Sequence, residues 1–505
     1  MNIGGQSRFQ INAKWPCREA VLDINKTAFH PRGNIMERLQ KIGQVKPVHS
    51  SQVTSSPIGL GFEKLDRGVF DPAKAYDKVA ALGVKWIRIQ SGWARTEKSK
   101  GKYEFGWLDE IVDNLLLRGL QPWICICYGN GIYNERAAEV FGAVGCPPIQ
   151  SDEEKLAWHN YTKALTTHFR KRVQWYEVWN EPDGIWCWKH GTSGTEYGEM
   201  FKATAAAIKA GDPDAKVIGG SICLRGLAWL NDVLATGAAS EMDALTYHAY
   251  TPDESDCFNR VHAIRALCHA YNPEMEIIQG ETGCQSRSDG AGALAGGAWT
   301  PVRQAKFMAR HMMADLFDQV KFASYFSCMD MIEALNGTVK DKSSYLDYGY
   351  FGVLGAEFDS DGVSSGEYTQ KPSYRTLQTI AAIFREEFTL AELPVDFLSG
   401  KTSRRLLRND DDGKTIVHGG FRKPGGAGAF VYWKSTELLT TSYESTVSLE
   451  FAALPGPVRL IDLLDGSIYA LPPNMIEDNG QGHCNLLNLP LRDYPLILMF
   501  GDFAE

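Results

Sequence analysis

Basic residues are outnumbered in this chain. Lys and Arg total 52 against 61 Asp and Glu, a formal charge of −9 over 505 residues. Nucleic acid and anionic membrane surfaces select for the opposite balance, so neither is expected as a partner. No apolar run reaches the ~18 residues that a spanning helix needs. The opening stretch, MNIGGQSRFQINAKWPCREAV, holds no apolar segment between a basic head and a small-residue cleavage site, so no secretory leader is expected. Cysteine never occurs as a CxxC pair. The eleven cysteines, an odd number running from Cys17 to Cys484, sit mostly inside apolar runs, which argues against zinc and redox chemistry. Buried free thiols in a reducing, cytoplasmic setting are the expectation, with Cys125 and Cys127 on one face of a strand. No internal repeat or long low-complexity tract stands out.

What is present is a large apolar share, 44%, in a chain long enough for one big core and at least one smaller domain. From about Ser56 to Phe384, short β-rich runs alternate with amphipathic segments. Asp71, Pro72 and Gly83 mark the cap, first turn and end of one helix. Leu108, Ile111, Val112, Leu115 and Leu116 form the apolar stripe of the next, closed by Gly119. Eight strands are expected, at Ile58–Asp66, Val84–Gln90, Gln121–Gly129, Val173–Glu181, Ala215–Ser221, Met242–Tyr250, Glu276–Gly283 and Lys321–Asp330. Eight strand–helix units fit an α/β (β/α)8 TIM barrel. A doubly wound sheet would carry a Gly-rich phosphate turn after its first strand, and IGLGFEKLD has none.

After Phe384 the texture becomes all-β: KTIVHGGF, GAFVYWKS, STVSLEFA, VRLIDLLDG, CNLLNLPL and PLILMFG are separated by Gly, Pro and Asp turns. We therefore expect an additional β-sandwich domain at 386–505 and the catalytic barrel at 56–385. Residues 1–55, with strand-like RFQINA and AVLDI, would add strands to the sandwich.

In a barrel, chemistry collects at the C-terminal ends of the strands. The fourth strand ends in YEVWNEPD, an apolar run driven into Glu181. That acid either ends the strand and caps the next helix, or is held at the mouth for chemistry. The seventh strand ends in Glu281, and two carboxylates three strands apart can face each other across a bound sugar. Arg88 in the second strand and Tyr250 after the sixth would keep Glu281 ionised. Glu181, beside Trp179 and Trp186, would be pushed toward its protonated form. His248 points the same way as Tyr250, though alone it reads equally as a satisfied core histidine. Arg88 could instead be a structural ion pair. Asp330 and Glu333 after the eighth strand, and Tyr128 and Asn130 after the third, are further candidates for substrate contact. Of Trp186 and Trp188, at least one is expected to line the cleft.

These residues carry a family resemblance. Trp179-Asn180-Glu181-Pro182 resembles the strand-four signature of clan A retaining glycoside hydrolases, where the Glu is acid/base and the Asn holds the sugar 2-hydroxyl. His248-Ala249-Tyr250 resembles the clan's strand-six HxY, Glu281 its strand-seven nucleophile, and Arg88 its strand-two arginine. The loop WNEPDGIW, the stretch YFSCMDMIE and the trailing β-runs are most similar to glycoside hydrolase family 39, which includes β-xylosidases and α-L-iduronidases. One departure is Phe326, where the clan commonly has Trp. The resemblance implies a retaining exo-β-glycosidase acting on short oligosaccharides or glycosides, with Glu181 and Glu281 catalytic, no cofactor and no metal, and it leaves room for a homo-oligomer. Two other classes compete. A metal-dependent barrel hydrolase would need HxH where the chain offers HxY. A non-catalytic carbohydrate-binding barrel would usually have lost one carboxylate.

Overall fold

In the computed structural model, residues 34–223, 226–398, 415–452, 457–478, 480 and 483–504 are described. Eight strands close into a parallel barrel, each hydrogen-bonded to the next in sequence. They are β1 (Ile58–Gly61), β2 (Trp86–Gln90), β3 (Gln121–Ile126), β4 (Trp175–Val178), β5 (Lys216–Ile222), β6 (Ala244–His248), β7 (Glu276–Thr282) and β8 (Ala323–Tyr325). Closure comes from β1 against β8, with Ile58 opposite Ala323 and Leu60 opposite Tyr325. All eight expected strands are present.

The barrel interior changes character along its axis. At the N-terminal ends Trp123, Trp175, Ile218, Ala244, Ile278 and Phe322 pack together, with Trp86 stacked on Phe322 at 4.3 Å between centroids. Two residues on along the same strands, the period-2 alternation brings Arg88, Cys125, Glu177 and Thr246 to the same interior face. An aromatic floor therefore carries a polar layer above it, and the Arg88 guanidinium lies 5.5 Å from the Trp123 ring.

Outer helices begin where their caps dictate. Ser151, Ser193, Asp253 and Thr300 each accept a backbone N–H of the helix that follows, a bond worth ~1 kcal/mol per helix. Gly83 and Gly119 take positive φ, 78° and 80°, at the helix ends read from the sequence. The first of those helices divides into a single 3-10 turn, Pro72–Lys74, and α-helix Tyr76–Ala80.

The all-β part forms two sheets. Seven strands run in the order Gln40–Gln44, Ser467–Ala470, Val458–Asp462, Leu496–Phe500, Gly428–Lys434, Ile416–Arg422 and Thr389–Leu390. Four more run Val395–Phe397, Ser445–Phe451, Cys484–Leu491 and Ile476–Asp478. Phe430, Tyr432, Leu460, Leu496 and Leu498 of the first sheet meet Val447, Leu449, Phe451, Leu486 and Leu491 of the second, the interleaved core of a sandwich. RFQINA and AVLDI lie outside the described residues. A different early segment, Gln40–Gln44, joins the sandwich by pairing with Ser467–Ala470.

The large sheet is buried on its other face too. Phe421, Ala429, Val431, Trp433, Ile461, Ile497 and Met499 belong to the same core as the barrel helices. Phe317, at the end of helix Pro301–Phe317, stacks on Phe421 and Trp433 at 5.3 and 5.9 Å. From the same helix Lys306 reaches Asp493 at 2.8 Å and donates to Leu439 and Thr441 carbonyls.

Candidate active site

The turn after β4 and the last residues of β5 depart from ordinary geometry. Trp179, Glu181 and Ser221 have φ of 70°, 45° and 60°, a left-handed conformation that costs a non-glycine residue about 1–2 kcal/mol. It bends the chain so that Asn180 and Glu181 face the barrel axis. Gly184 keeps the next turn open, since a Cβ there would stand 2.5 Å from the Trp186 ring.

Arg88, wholly buried, organises the polar layer. Its Nε donates to Glu177 at 2.8 Å, one Nη to Asn180 at 2.8 Å, and the other to Glu281. Glu177 also accepts from Thr246 at 3.0 Å and from Ser221. Glu281 receives a second donor on its other oxygen, the Tyr250 hydroxyl at 2.7 Å. Both expected partners of Glu281 are thus in place.

Glu181 is also held by two donors, His248 Nδ1 at 2.8 Å and the Trp186 indole N–H. This corrects the expectation that its tryptophan neighbours would favour protonation. Burial does raise the Glu181 carboxyl, but the His248 hydrogen bond and charge, with the Trp186 hydrogen bond, bring it below its ordinary value. An indole aimed edge-on through its N–H favours a carboxylate, not an acid. His248 moves the opposite way. Burial lowers it, and the two carboxylates, Glu281 and Glu181, more than compensate, leaving it above its ordinary value. Its other ring nitrogen meets Ser221 Oγ at 3.1 Å.

The two carboxylates are close. One oxygen from Glu181, one from Glu281 and a nitrogen of His248 all lie within 4.8 Å of one another. Three such groups could in principle ligate a cation. Here all four carboxylate oxygens already accept directed donors, and the Arg88 guanidinium against Glu281 opposes a second positive charge.

Above this pair opens a cavity of about 380 Å³, in the range for a small ligand. Asn180, Glu181, Trp186, Tyr128, Tyr250, Glu281 and Glu333 line it. Arg88 and His248 stand behind the lining and act on it through hydrogen bonds. Phe326 also lines it, edge-on to Phe351 at 5.3 Å, so an apolar platform persists without an indole.

Three candidates fall elsewhere. Asp330 is not part of the lining. It is buried and held by Lys371 at 2.5 Å and by the Gly352 N–H at 3.0 Å, so its charge is spent on a structural pair. Trp188 packs, donating to Glu196 at 2.9 Å, while Trp186 faces the cavity. Asn130 ties down its own loop through the Glu97 carbonyl.

One wall was not anticipated. The turn after β1 contributes Glu63, Lys64 and Arg67, and β2 contributes Gln90. Lys64 donates to Glu333 at 3.2 Å, and Arg67 to Gln90 at 2.6 Å. The density of charge in FEKLDRG was the available signal, yet a charged loop usually marks a solvated turn. Glu177, a charge in the middle of a buried strand, was the clearer missed signal.

Comparison with known proteins gives the chain's family. The model of glycosyl hydrolases family 39 matches residues 80–452. The chain belongs to this family. A curated relative, the β-xylosidase of Geobacillus stearothermophilus, is 31% identical over 158 residues, which is 30% of this chain and 31% of that enzyme. The chain thus spans about a third of the length of that curated relative. Among solved structures, a family 39 glycoside hydrolase from Bacteroides cellulosilyticus WH2 matches with a TM-score of 0.62 at 18% identity, over 90% of this chain and 83% of that one. A monomeric β-xylosidase from Caulobacter crescentus CB15 matches with 0.55 at 18%, over 91% and 97%. At that identity the likeness is one of fold: a TIM barrel carrying a β-sandwich.

Proposed function

We propose that this family 39 member is a retaining exo-β-glycosidase that hydrolyses short oligosaccharides or glycosides by double displacement. The observation that carries the reading is the convergence of Glu181 and Glu281 on one cavity with oxygens within 4.8 Å. Inverting enzymes need about 6.5–9.5 Å between carboxyl groups to admit a water, while retaining ones keep about 5–5.5 Å. Glu281, gripped by Arg88 and Tyr250, attacks the anomeric carbon as its bond to the leaving oxygen breaks. Glu181 protonates that oxygen. The proton comes from the Glu181–His248 pair, since the histidine N–H lies 2.8 Å from the carboxylate and can hand it over as charge develops on the leaving group. Water then enters, loses a proton to Glu181 and releases the sugar from Glu281. Asn180, fixed by Arg88, faces the same cavity and would hold the sugar 2-hydroxyl. Tyr128, Trp186 and Glu333 complete the substrate contacts.

The apolar rim of Leu294, Leu335 and Phe351 supports a closed pocket for a terminal sugar. A cytoplasmic site of action is supported by the ten described cysteines, all free; Cys125 and Cys127 sulfurs stand 3.8 Å apart without a disulfide. Among the described residues no helix is long and apolar enough to cross a membrane. The test is a panel of aryl β-glycosides, beginning with the xyloside because of the Geobacillus relative's name, with product stereochemistry followed by NMR. First-formed product with the substrate's own anomeric configuration is expected. Inverted product, or no turnover of any panel member, overturns the reading.

A further inference from the structure

One wall residue has no part in the reaction just described. Glu63 is 1% exposed, lines the cavity, and accepts no hydrogen bond from any other described residue at either carboxyl oxygen. Among the described residues its one ion-pair neighbour is Arg88 Nη1, at 3.5 Å, and Arg88 already donates to Glu281, Glu177 and Asn180. A buried carboxyl with two unmet acceptors costs a few kcal/mol unless something completes it.

The chain also makes room for that carboxyl. A Cβ on Gly61 would lie 2.1 Å from one Glu63 oxygen and 2.5 Å from the other. The carboxyl therefore occupies the space that a side chain at the end of β1 would fill. Nearby on the same turn, the Arg67 side chain is 3% exposed and also lines the cavity, with one guanidinium nitrogen left without a partner. The wall thus holds both an unmet acceptor group and an unmet donor group, the pattern of a surface that reads polar substituents.

Resting on the glycosidase reading, we propose that Glu63 is a specificity-determining residue whose carboxyl, seated against Gly61, binds one ring hydroxyl of the sugar held over Glu281. Burial, with the charge of Glu281, pushes the Glu63 carboxyl up to about 8 against the opposing pull of Arg88, of its own backbone N–H and of Lys64. In neutral solution it then keeps its proton and can both donate to and accept from that hydroxyl.

The experiment uses the full chain and the preferred aryl glycoside, together with its monodeoxy analogues at each ring position. For the wild type, one deoxy position should cost about tenfold or more in kcat/KM through loss of this contact. In Glu63→Ala that penalty should fall to near onefold, while the penalties at the other positions persist. Gly61→Ala keeps Glu63 but displaces its carboxyl, and should produce the same selective loss even if Glu63→Ala fails to fold. An equal reduction on all analogues, in either variant, overturns the proposal and leaves Glu63 as packing around Arg88. Failure of the wild type to turn over any aryl glycoside would instead defeat the glycosidase reading on which it rests.

Discussion

His248 Nδ1 stands 2.8 Å from Glu181 Oε1, with both side chains buried at the top of the barrel. Neither member of this pair has its ordinary proton affinity. The imidazole is raised above 6.5 and the carboxyl lowered below 4.5. A raised base contributes stability that is complete below 6.5 and is lost as pH climbs through its folded value. A lowered acid contributes stability that is complete above 4.5 and is lost as pH falls through its folded value. The pair is therefore strongest between 4.5 and 6.5. Thermal melts of wild type and His248→Asn across a pH series should differ most inside that window and converge as pH rises above it.

Glu281→Gln keeps the shape of the side chain and removes the nucleophile. Turnover of the best aryl glycoside should drop about 10⁴-fold or more, with the melting temperature little changed. Retained activity within tenfold would mean that another group attacks the sugar.

Glu181→Ala removes the acid/base. An aryl glycoside whose leaving group needs no protonation should still form the glycosyl-enzyme, so a burst followed by slow turnover is expected. Added azide should restore turnover by standing in for the activated water, giving a β-glycosyl azide detectable by NMR. An α-azide would contradict the double displacement.

Arg88→Met strips Glu177 of its cation at a place with no access to solvent. Removing one partner of a buried charge pair costs about 3–5 kcal/mol. Denaturant melts should show a loss of that size, and activity should fall because Glu281 and Asn180 lose the same donor.

Lys306→Met tests the seam between barrel and sandwich, where Asp493 is fully buried against Lys306. The single variant should lose about 3–5 kcal/mol, whereas Lys306→Met with Asp493→Leu should recover part of it. Well below the melting temperature kcat should be unchanged in both.

Much of the architecture was legible in the residues. The eight strands could be read because each is a short apolar run bounded by helix caps and glycines. Glu181 and Glu281 stood out because an acid ending a buried strand is expensive unless it faces an opening. Asp330 misled for a reason of the same kind: it was read as ending the eighth strand, but that strand stops at Tyr325, and Lys371, 41 residues on from Asp330, folds back and neutralises it. The protonation of Glu181 was misread because a tryptophan beside it says nothing about which edge of the ring it presents. Glu63 was invisible because its inward path depends on Gly61, and a missing Cβ announces nothing about what fills its place. The pairing of Gln40–Gln44 with Ser467–Ala470 spans more than 400 residues, beyond the reach of local pattern.

The large sheet that is core on both faces has one more outcome. A chain cut after Phe384 would leave the rings of Phe317 and Phe384, both packed on Phe421 of that sheet, and the ammonium of Lys306 facing water, so the barrel is not a separable module. Calorimetry should accordingly record one melting transition for the two parts, and deletion of the sandwich should give aggregates instead of a smaller enzyme.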